Sequence, residues 1–170
     1  FLADLFLKGE KKHATLSMLT CALLVAQVVL CFNAQPAEAF AGLYTATAAA
    51  QVMKVILTVG AYIVVVMAQS WIEREDVLRK EGEFYELIIS TLLGMYMMIS
   101  SGHFLMFFLG LEMASVPMAC LVAFDKYKKI SAEGAAKFIL TATFSSGVML
   151  YGISFIYGAC GTLYFDDMAA

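Results

Sequence analysis

Apolar residues are gathered in five long runs, and most of the charged residues lie in the short segments between them. The runs cover residues 14–32, 52–71, 84–100, 104–124 and 135–158. A helix that crosses the hydrocarbon layer of a membrane needs about 20 mostly apolar residues, and each run is near that length. The pattern predicts an all-α membrane protein, a bundle of about five transmembrane helices in one membrane domain covering residues 1–170.

Lysine and arginine are confined almost entirely to alternate connecting segments. Nine of the eleven lie before the first run, between the second and third, or between the fourth and fifth: Lys8, Lys11, Lys12, Arg74, Arg79, Lys80, Lys126, Lys128 and Lys129. The other connections contain none, including "SSGH", which predicts a tight helical hairpin between the third and fourth runs. Because cytoplasmic loops carry such an excess of Lys and Arg, the pattern predicts a multi-pass protein of the cell's inner membrane with a defined orientation.

The composition supports a lipid bilayer as the surroundings of this chain. Hydrophobic residues make up 62% of it and charged residues only 15%, whereas soluble domains average about 45–50% and about 25%. The net charge of −3 gives no indication of a nucleic-acid partner, and we expect none.

The charge at Glu112 is the least expected feature of the fourth run. By helix rise it lies about 12 Å from the start of the run, too deep for a glutamate side chain to reach the membrane surface. Ionised carboxylates are costly in lipid, so such residues usually face a bundle interior or a hydrated cavity. Ser115 lies on the same face, where it could share a hydrogen bond with the carboxyl group.

Two interpretations of Glu112 remain open on this evidence. In the first, it is a protonated acid that joins two helices through a hydrogen bond. In the second, it is a proton carrier whose charge state depends on a nearby cation. Lys137, near the cytoplasmic end of the fifth run, is the candidate cation, although a lysine there could also extend to the membrane surface. Lys54, near the outer end of the second run, is open to the same simple explanation.

The sequence contains no recognisable binding motif for a redox cofactor. The four cysteines show no paired spacing, and only two histidines accompany them. Neither a dinucleotide-binding glycine motif nor a phosphate-binding loop is present. We therefore expect no cofactor or metal in this chain.

Several ordered motifs resemble the antiporter-like proton-pumping subunits of respiratory complex I, the NADH:quinone oxidoreductase, and in particular the subunit N family. That family typically shows a G-E-F-Y helix start, an L-x-L-E motif, an A-x-K-Y/F-x-L segment and an L-Y-G-x-x-x-x-Y-G segment. The matching residues here are Gly82–Tyr85, Leu109–Glu112, Ala135–Phe138 and Leu150–Gly158.

The resemblance implies that this chain is an N-terminal-half fragment, roughly the second to sixth helices of a fourteen-helix antiporter-like subunit. It places Glu112 at the family's fifth-helix glutamate, which takes part in proton transfer with a lysine of the seventh helix, and Lys137 at the sixth-helix lysine. It also implies other membrane subunits of complex I as partners, and NADH, FMN, iron–sulfur clusters and quinone as cofactors and substrates handled by other subunits.

Two other functions are compatible with these motifs. A subunit of a multi-subunit Na+/H+ antiporter or of a membrane hydrogenase would share the same fold. Alternatively, the chain could be a non-transporting scaffold in which Glu112 and Lys137 only fix helix packing.

Overall fold

Five long helices form the bundle. The computed structural model describes residues 12–33, 35–72, 80–125 and 128–169. Within them the elements, in chain order, are α1 (Lys12–Asn33), β1 (Ala37–Ala39), β2 (Tyr44–Ala46), α2 (Ala48–Ile72), α3 (Glu81–Ile99), α4 (Phe104–Val122), α5 (Lys129–Cys160) and the short α6 (Phe165–Ala169). The predicted helical membrane bundle is confirmed, and the helical hairpin at residues 100–103 joins α3 to α4 as expected.

Four of these helices, α1, α2, α4 and α5, are long and apolar enough to cross a membrane. Helix α3 is also 19 residues long, but Glu81 and Glu83 in its first turn reduce its apolar character. Helix α5 begins at Lys129 rather than at residue 135 and has 32 residues. At about 1.5 Å per residue it is about 48 Å long, so it extends well beyond a hydrocarbon layer about 30 Å thick.

Helices α3 and α4 pack most closely, because glycines lie where they meet. A Cβ atom on Gly94 would lie 2.4 Å from the backbone nitrogen of Ala114, and one on Gly110 would lie 2.6 Å from that of Met98. Small residues let helix backbones approach closely in membranes. The residues that approach Gly110, Gly94 and Met98, belong to α3.

An aromatic cluster closes one end of the bundle. The Trp71 ring lies 5.9 Å from the rings of both Phe84 and Phe124, measured between centroids. Ile72 beside it is fully buried. Lys80, Lys128 and Lys129 lie at this end, whereas Lys8, Lys11, Arg74, Arg79 and Lys126 fall outside the described residues. The predicted cytoplasmic orientation of this end stays a prediction.

The opposite end carries a small structure that the sequence did not predict. Strands β1 and β2 form an antiparallel hairpin in the connection between α1 and α2, with Glu38 opposite Thr45. Main-chain hydrogen bonds join this hairpin to the segment before α4, and join that segment to the one after α5. We call residues 37–46, 100–104 and 161–165 together the cap. These bonds are Thr45 N–H to Ser100 O (2.7 Å), Gly102 N–H to Leu43 O (2.9 Å), Phe104 N–H to Leu163 O (3.0 Å) and Phe165 N–H to Gly102 O (3.1 Å).

Candidate functional site

Helix α4 holds Glu112 near its midpoint. The helix begins after His103, whose Nδ1 accepts a hydrogen bond from the backbone N–H of Leu105 at 3.1 Å. It continues through Pro117 to Val122. Proline has no N–H to donate to the carbonyl four residues earlier, so the carbonyl of Met113, next to Glu112, loses its usual helical donor.

The carboxyl group of Glu112 is half-buried. The Ser115 hydroxyl donates to the backbone carbonyls of Leu111 at 2.7 Å and Glu112 at 3.4 Å, so the expected bond to the Glu112 carboxyl group was wrong. A serine within a helix has backbone carbonyls always within reach, and these compete with a more distant side chain. Across the described ranges, no side chain forms a hydrogen bond or an ion pair with the Glu112 carboxyl group.

Lys137 has a partner on its own helix. Its Nζ lies 2.6 Å from Oε1 of Glu133, one turn earlier, and the two side chains are 74% and 65% exposed. Exposed pairs of this kind contribute about 0.3–0.5 kcal/mol. The structure therefore does not join Lys137 to Glu112.

The two residues nevertheless lie at similar depths. The Ser131 hydroxyl donates to the backbone carbonyl of Val122 at 2.5 Å, which fixes α5 beside the end of α4. Counted from this contact at about 1.5 Å per residue, Lys137 lies about 9 Å into the bundle and Glu112 about 15 Å. A difference of about 6 Å is comparable to the length of a lysine side chain.

The sequence did not indicate how deeply Lys54 is buried. It is only 4% exposed, because the cap covers the end of α2 where a membrane surface was expected. Its Nζ donates to the Tyr44 hydroxyl at 2.8 Å and lies 5.0 Å from the centre of that ring. Helix α2 begins at Ala48 rather than at residue 52, so Lys54 lies deeper than the apolar run indicated.

Lys54 affects the pKa of the Tyr44 phenol. Burial alone would raise the pKa of its phenol, but the hydrogen bond from Lys54, the nearby Ser100 hydroxyl and the charge of Lys54 lower that pKa below the usual value of 10.0. Lys54 of the bundle thus favours the ionised form of Tyr44 in the cap.

Metal-binding groups were not expected. In the described part of the chain, no group of three or more His, Cys, Asp or Glu side chains could hold a metal ion.

Comparison with known proteins gives a consistent result. Residues 101–170 match the family model described as NADH:quinone oxidoreductase/Mrp antiporter, transmembrane. The chain is 56% identical over its full length to NADH-quinone oxidoreductase subunit N of Phocaeicola vulgatus, covering 36% of that relative. It is 32% identical to the protein of the same name from Nitrosomonas europaea, with 99% of the chain and 35% of the relative aligned.

Solved structures show the same architecture. Respiratory complex I from Thermus thermophilus with bound aureothin contains a chain that matches with a TM-score of 0.74 at 25% identity, over 89% of this chain and 33% of that one. The archaeal membrane-bound sulfane sulfur reductase matches in fold, with a TM-score of 0.68 at 19% identity over 96% of this chain and 35% of that one. The chain spans about a third of the length of the curated relatives that it matches.

Proposed function

Since this chain belongs to the NADH-quinone oxidoreductase subunit N family, we propose that it is part of a proton-translocating membrane subunit of respiratory complex I. The subunit would couple quinone reduction, carried out elsewhere in the complex, to proton pumping. NADH, FMN, the iron–sulfur clusters and quinone would be bound by other subunits. The other membrane subunits of the complex would be its direct partners.

Membership in this family and the four apolar helices make the chain a multi-pass protein of the inner membrane. Proton transfer within a membrane requires side chains that can gain and lose a proton away from bulk water. Glu112 and Lys137 are our proposed proton-transfer residues.

The observation that supports this role best is the position of Glu112: mid-helix, half-buried and without a side-chain partner among the described residues. A carboxyl group in this position can respond to a charge that arrives nearby. A unit positive charge about 4 Å away favours the carboxylate by about 4 kcal/mol at an effective dielectric near 20, enough to release a bound proton.

We propose that Lys137 supplies a charge of that kind. Its side chain points into the open space beside α5, held by a weak, exposed contact with Glu133. Exchange of this partner for Glu112 would cost little free energy and would favour the ionised form of Glu112. Return of Lys137 to Glu133 would let Glu112 take up a proton.

The decisive test replaces Glu112 in the complete complex, in sealed membrane vesicles. Glu112→Gln keeps the size and hydrogen-bonding capacity of the side chain but cannot ionise. We expect normal assembly and a fall in proton pumping of about tenfold or more. Glu112→Asp, which keeps the acid with a shorter reach, should give an intermediate rate. Proton uptake and quinone reduction are both measured after assembly has been checked.

The alternatives predict different results. A scaffold role predicts full pumping by Glu112→Gln and damage only from Glu112→Ala, which would leave a partner unpaired. An antiporter role predicts that the chain purifies without flavin and iron–sulfur subunits. Either result would contradict the proposed function.

A further inference from the structure

A second cluster of polar side chains lies beneath the cap, away from Glu112. It contains Lys54 and Thr58 from α2, Tyr44 from β2, Tyr96 from α3, and Ser100 directly after α3. Thr58 and Ser100 are fully buried. Residues from three separate segments of the chain thus meet at the one end of the bundle that the cap covers.

The Lys54 ammonium group has more hydrogen-bond donors than this cluster has acceptors for them. An ammonium group has three N–H donors, and the Tyr44 hydroxyl is the acceptor that the structure provides. Within the described ranges no carboxylate forms an ion pair with Lys54. Lys54 is thus a buried ammonium group whose hydrogen-bond acceptor is a phenol that can itself pass on a proton.

Other titratable groups near the pair come from two further helices. The Cys31 thiol of α1 is buried and close enough to interact electrostatically with Tyr44. The Tyr96 hydroxyl of α3 lies one turn deeper, hydrogen-bonded to Thr58. Neither carries a negative charge when protonated, so neither replaces the missing counter-ion.

A buried hydroxyl beside Tyr44 marks where water would bind. Ser100 is 0% exposed, and its Oγ has no hydrogen-bond partner of good geometry among the described residues, although it lies close enough to influence the Tyr44 phenol. Buried polar atoms without protein partners are commonly satisfied by ordered water. Ser100 belongs to the cap itself, so such a water would lie between the phenol and the membrane face.

We propose that Lys54 and Tyr44 form a proton-release site at the capped end of the bundle, an inference that rests on the proposed function. An N–H bond of the Lys54 ammonium breaks and its proton bonds to the Tyr44 oxygen, while the phenolic proton of Tyr44 passes to water beside Ser100. Lys54 is left as a neutral amine and Tyr44 as an intact phenol. The amine then takes a new proton from the bundle interior, so the site transfers one proton per cycle.

The test compares substitutions at both residues in the complete complex in sealed vesicles. Lys54→Arg keeps the positive charge but cannot release a proton, because a guanidinium stays protonated. Tyr44→Phe keeps the ring over the ammonium and removes the relay oxygen. We expect either change to slow pumping by about tenfold or more. Lys128→Met, which removes an exposed lysine at the other end, is the matched control and should pump at the parental rate.

A purely structural role for Lys54 predicts the reverse result. Lys54→Arg would then pump at the parental rate because the charge is kept, and that outcome would overturn the proposal. Glu112→Gln is measured in the same vesicles. If it is impaired while the Lys54 and Tyr44 variants are not, the release site is wrong and the proposed function stands. Full pumping by all of these variants would contradict both.

A second measurement needs no turnover. The pKa of Tyr44 is followed by ultraviolet absorbance of the assembled complex, as the difference between the parent and Tyr44→Phe. In Lys54→Met the lowering effect of the ammonium is lost and burial remains, so the pKa of Tyr44 should rise. An unchanged titration would show that the two groups are not coupled and would overturn the proposal.

Discussion

An ionisable side chain inside a membrane bundle behaves according to what lies within reach of its head group. Glu112 is half-buried with no side-chain partner among the described residues, Lys137 has an exposed partner on its own helix, and Lys54 is buried against a phenol. The exposed contact of Lys137 can be exchanged at low cost. Lys54 cannot leave its site, so only its proton can move.

Lys137 provides the sharpest test at the level of single residues. If its charge acts on Glu112, Lys137→Ala should lower proton pumping several-fold, and Lys137→Arg should keep most of it. Glu133→Gln removes the resting partner of Lys137 and should also lower pumping, but by less than Lys137→Ala, because the exposed pair contributes only about 0.3–0.5 kcal/mol.

The matched control is Lys128→Ala, since Lys128 is also an exposed lysine with a local partner, Asp125, at 2.8 Å. Pumping is compared with quinone reduction in the assembled complex. Equal rates for Lys137→Ala and Lys128→Ala would assign Lys137 to the membrane surface instead.

Residue spacing could identify the ionisable positions but not their surroundings. The depth of Glu112 follows from helix rise alone, because it depends only on distance along one helix. The burial of Lys54 depends on Tyr44, which is ten residues earlier and reaches the lysine only because the hairpin folds back. No local pattern encodes such a contact, so the sequence left a lysine extending to the membrane surface as the simple explanation for Lys54.

At the level of helices, the contact between α3 and α4 fixes the position of Glu112. Gly94 and Gly110 bring the two backbones together on one side of α4, and this leaves the face with Glu112 only half-covered. Helix α5 approaches α4 near its own beginning, where Ser131 and Gly134 lie close to Val122. Glu112 therefore belongs to one helix of a tight pair and is itself half-buried.

Enlarging the tight contact should separate the two helices. Gly94→Ala would place a Cβ atom 2.4 Å from the backbone of Ala114, and overpacking of this kind costs about 1–3 kcal/mol. We expect a lower midpoint of thermal unfolding for the purified complex and less assembled subunit in membranes. Gly147→Ala is the control, because a Cβ atom there meets nothing within 4 Å. Equal midpoints for the two variants would show that the helices tolerate the added methyl group.

Apolar runs predicted the helices well but not their ends. Hydropathy detects only the part of a helix that lies in lipid. Helix α5 begins before its apolar run, and its first residues include the polar Ser131 and Glu133. The connection between α1 and α2 contains no strong strand pattern, and its hairpin pairs with Ser100–Gly102. Such pairing depends on the assembled bundle, so it lies beyond what the run pattern could indicate.

The two ends of the bundle carry different groups. The cap and its Lys54–Tyr44 pair occupy one end, and Lys80, Lys128 and Lys129 lie at the other. Between them the helix surfaces are mostly apolar and exposed, with only 11–28% of each candidate span buried within the chain. Surfaces of this kind are covered by lipid or by further helices in a membrane.

The orientation of this axis decides whether the Lys54–Tyr44 site would release or take up protons, and labelling can determine it. In a background in which the four native cysteines are replaced by alanine, single cysteines are placed at Glu38 in the cap and at Lys128 at the opposite end. Because Lys and Arg accumulate on the cytoplasmic side, Glu38→Cys should react with a membrane-impermeant maleimide in intact cells. Lys128→Cys should react only with a permeant reagent. Labelling of Lys128→Cys from outside, with Glu38→Cys protected, would invert the bundle and make the capped end the side of proton entry.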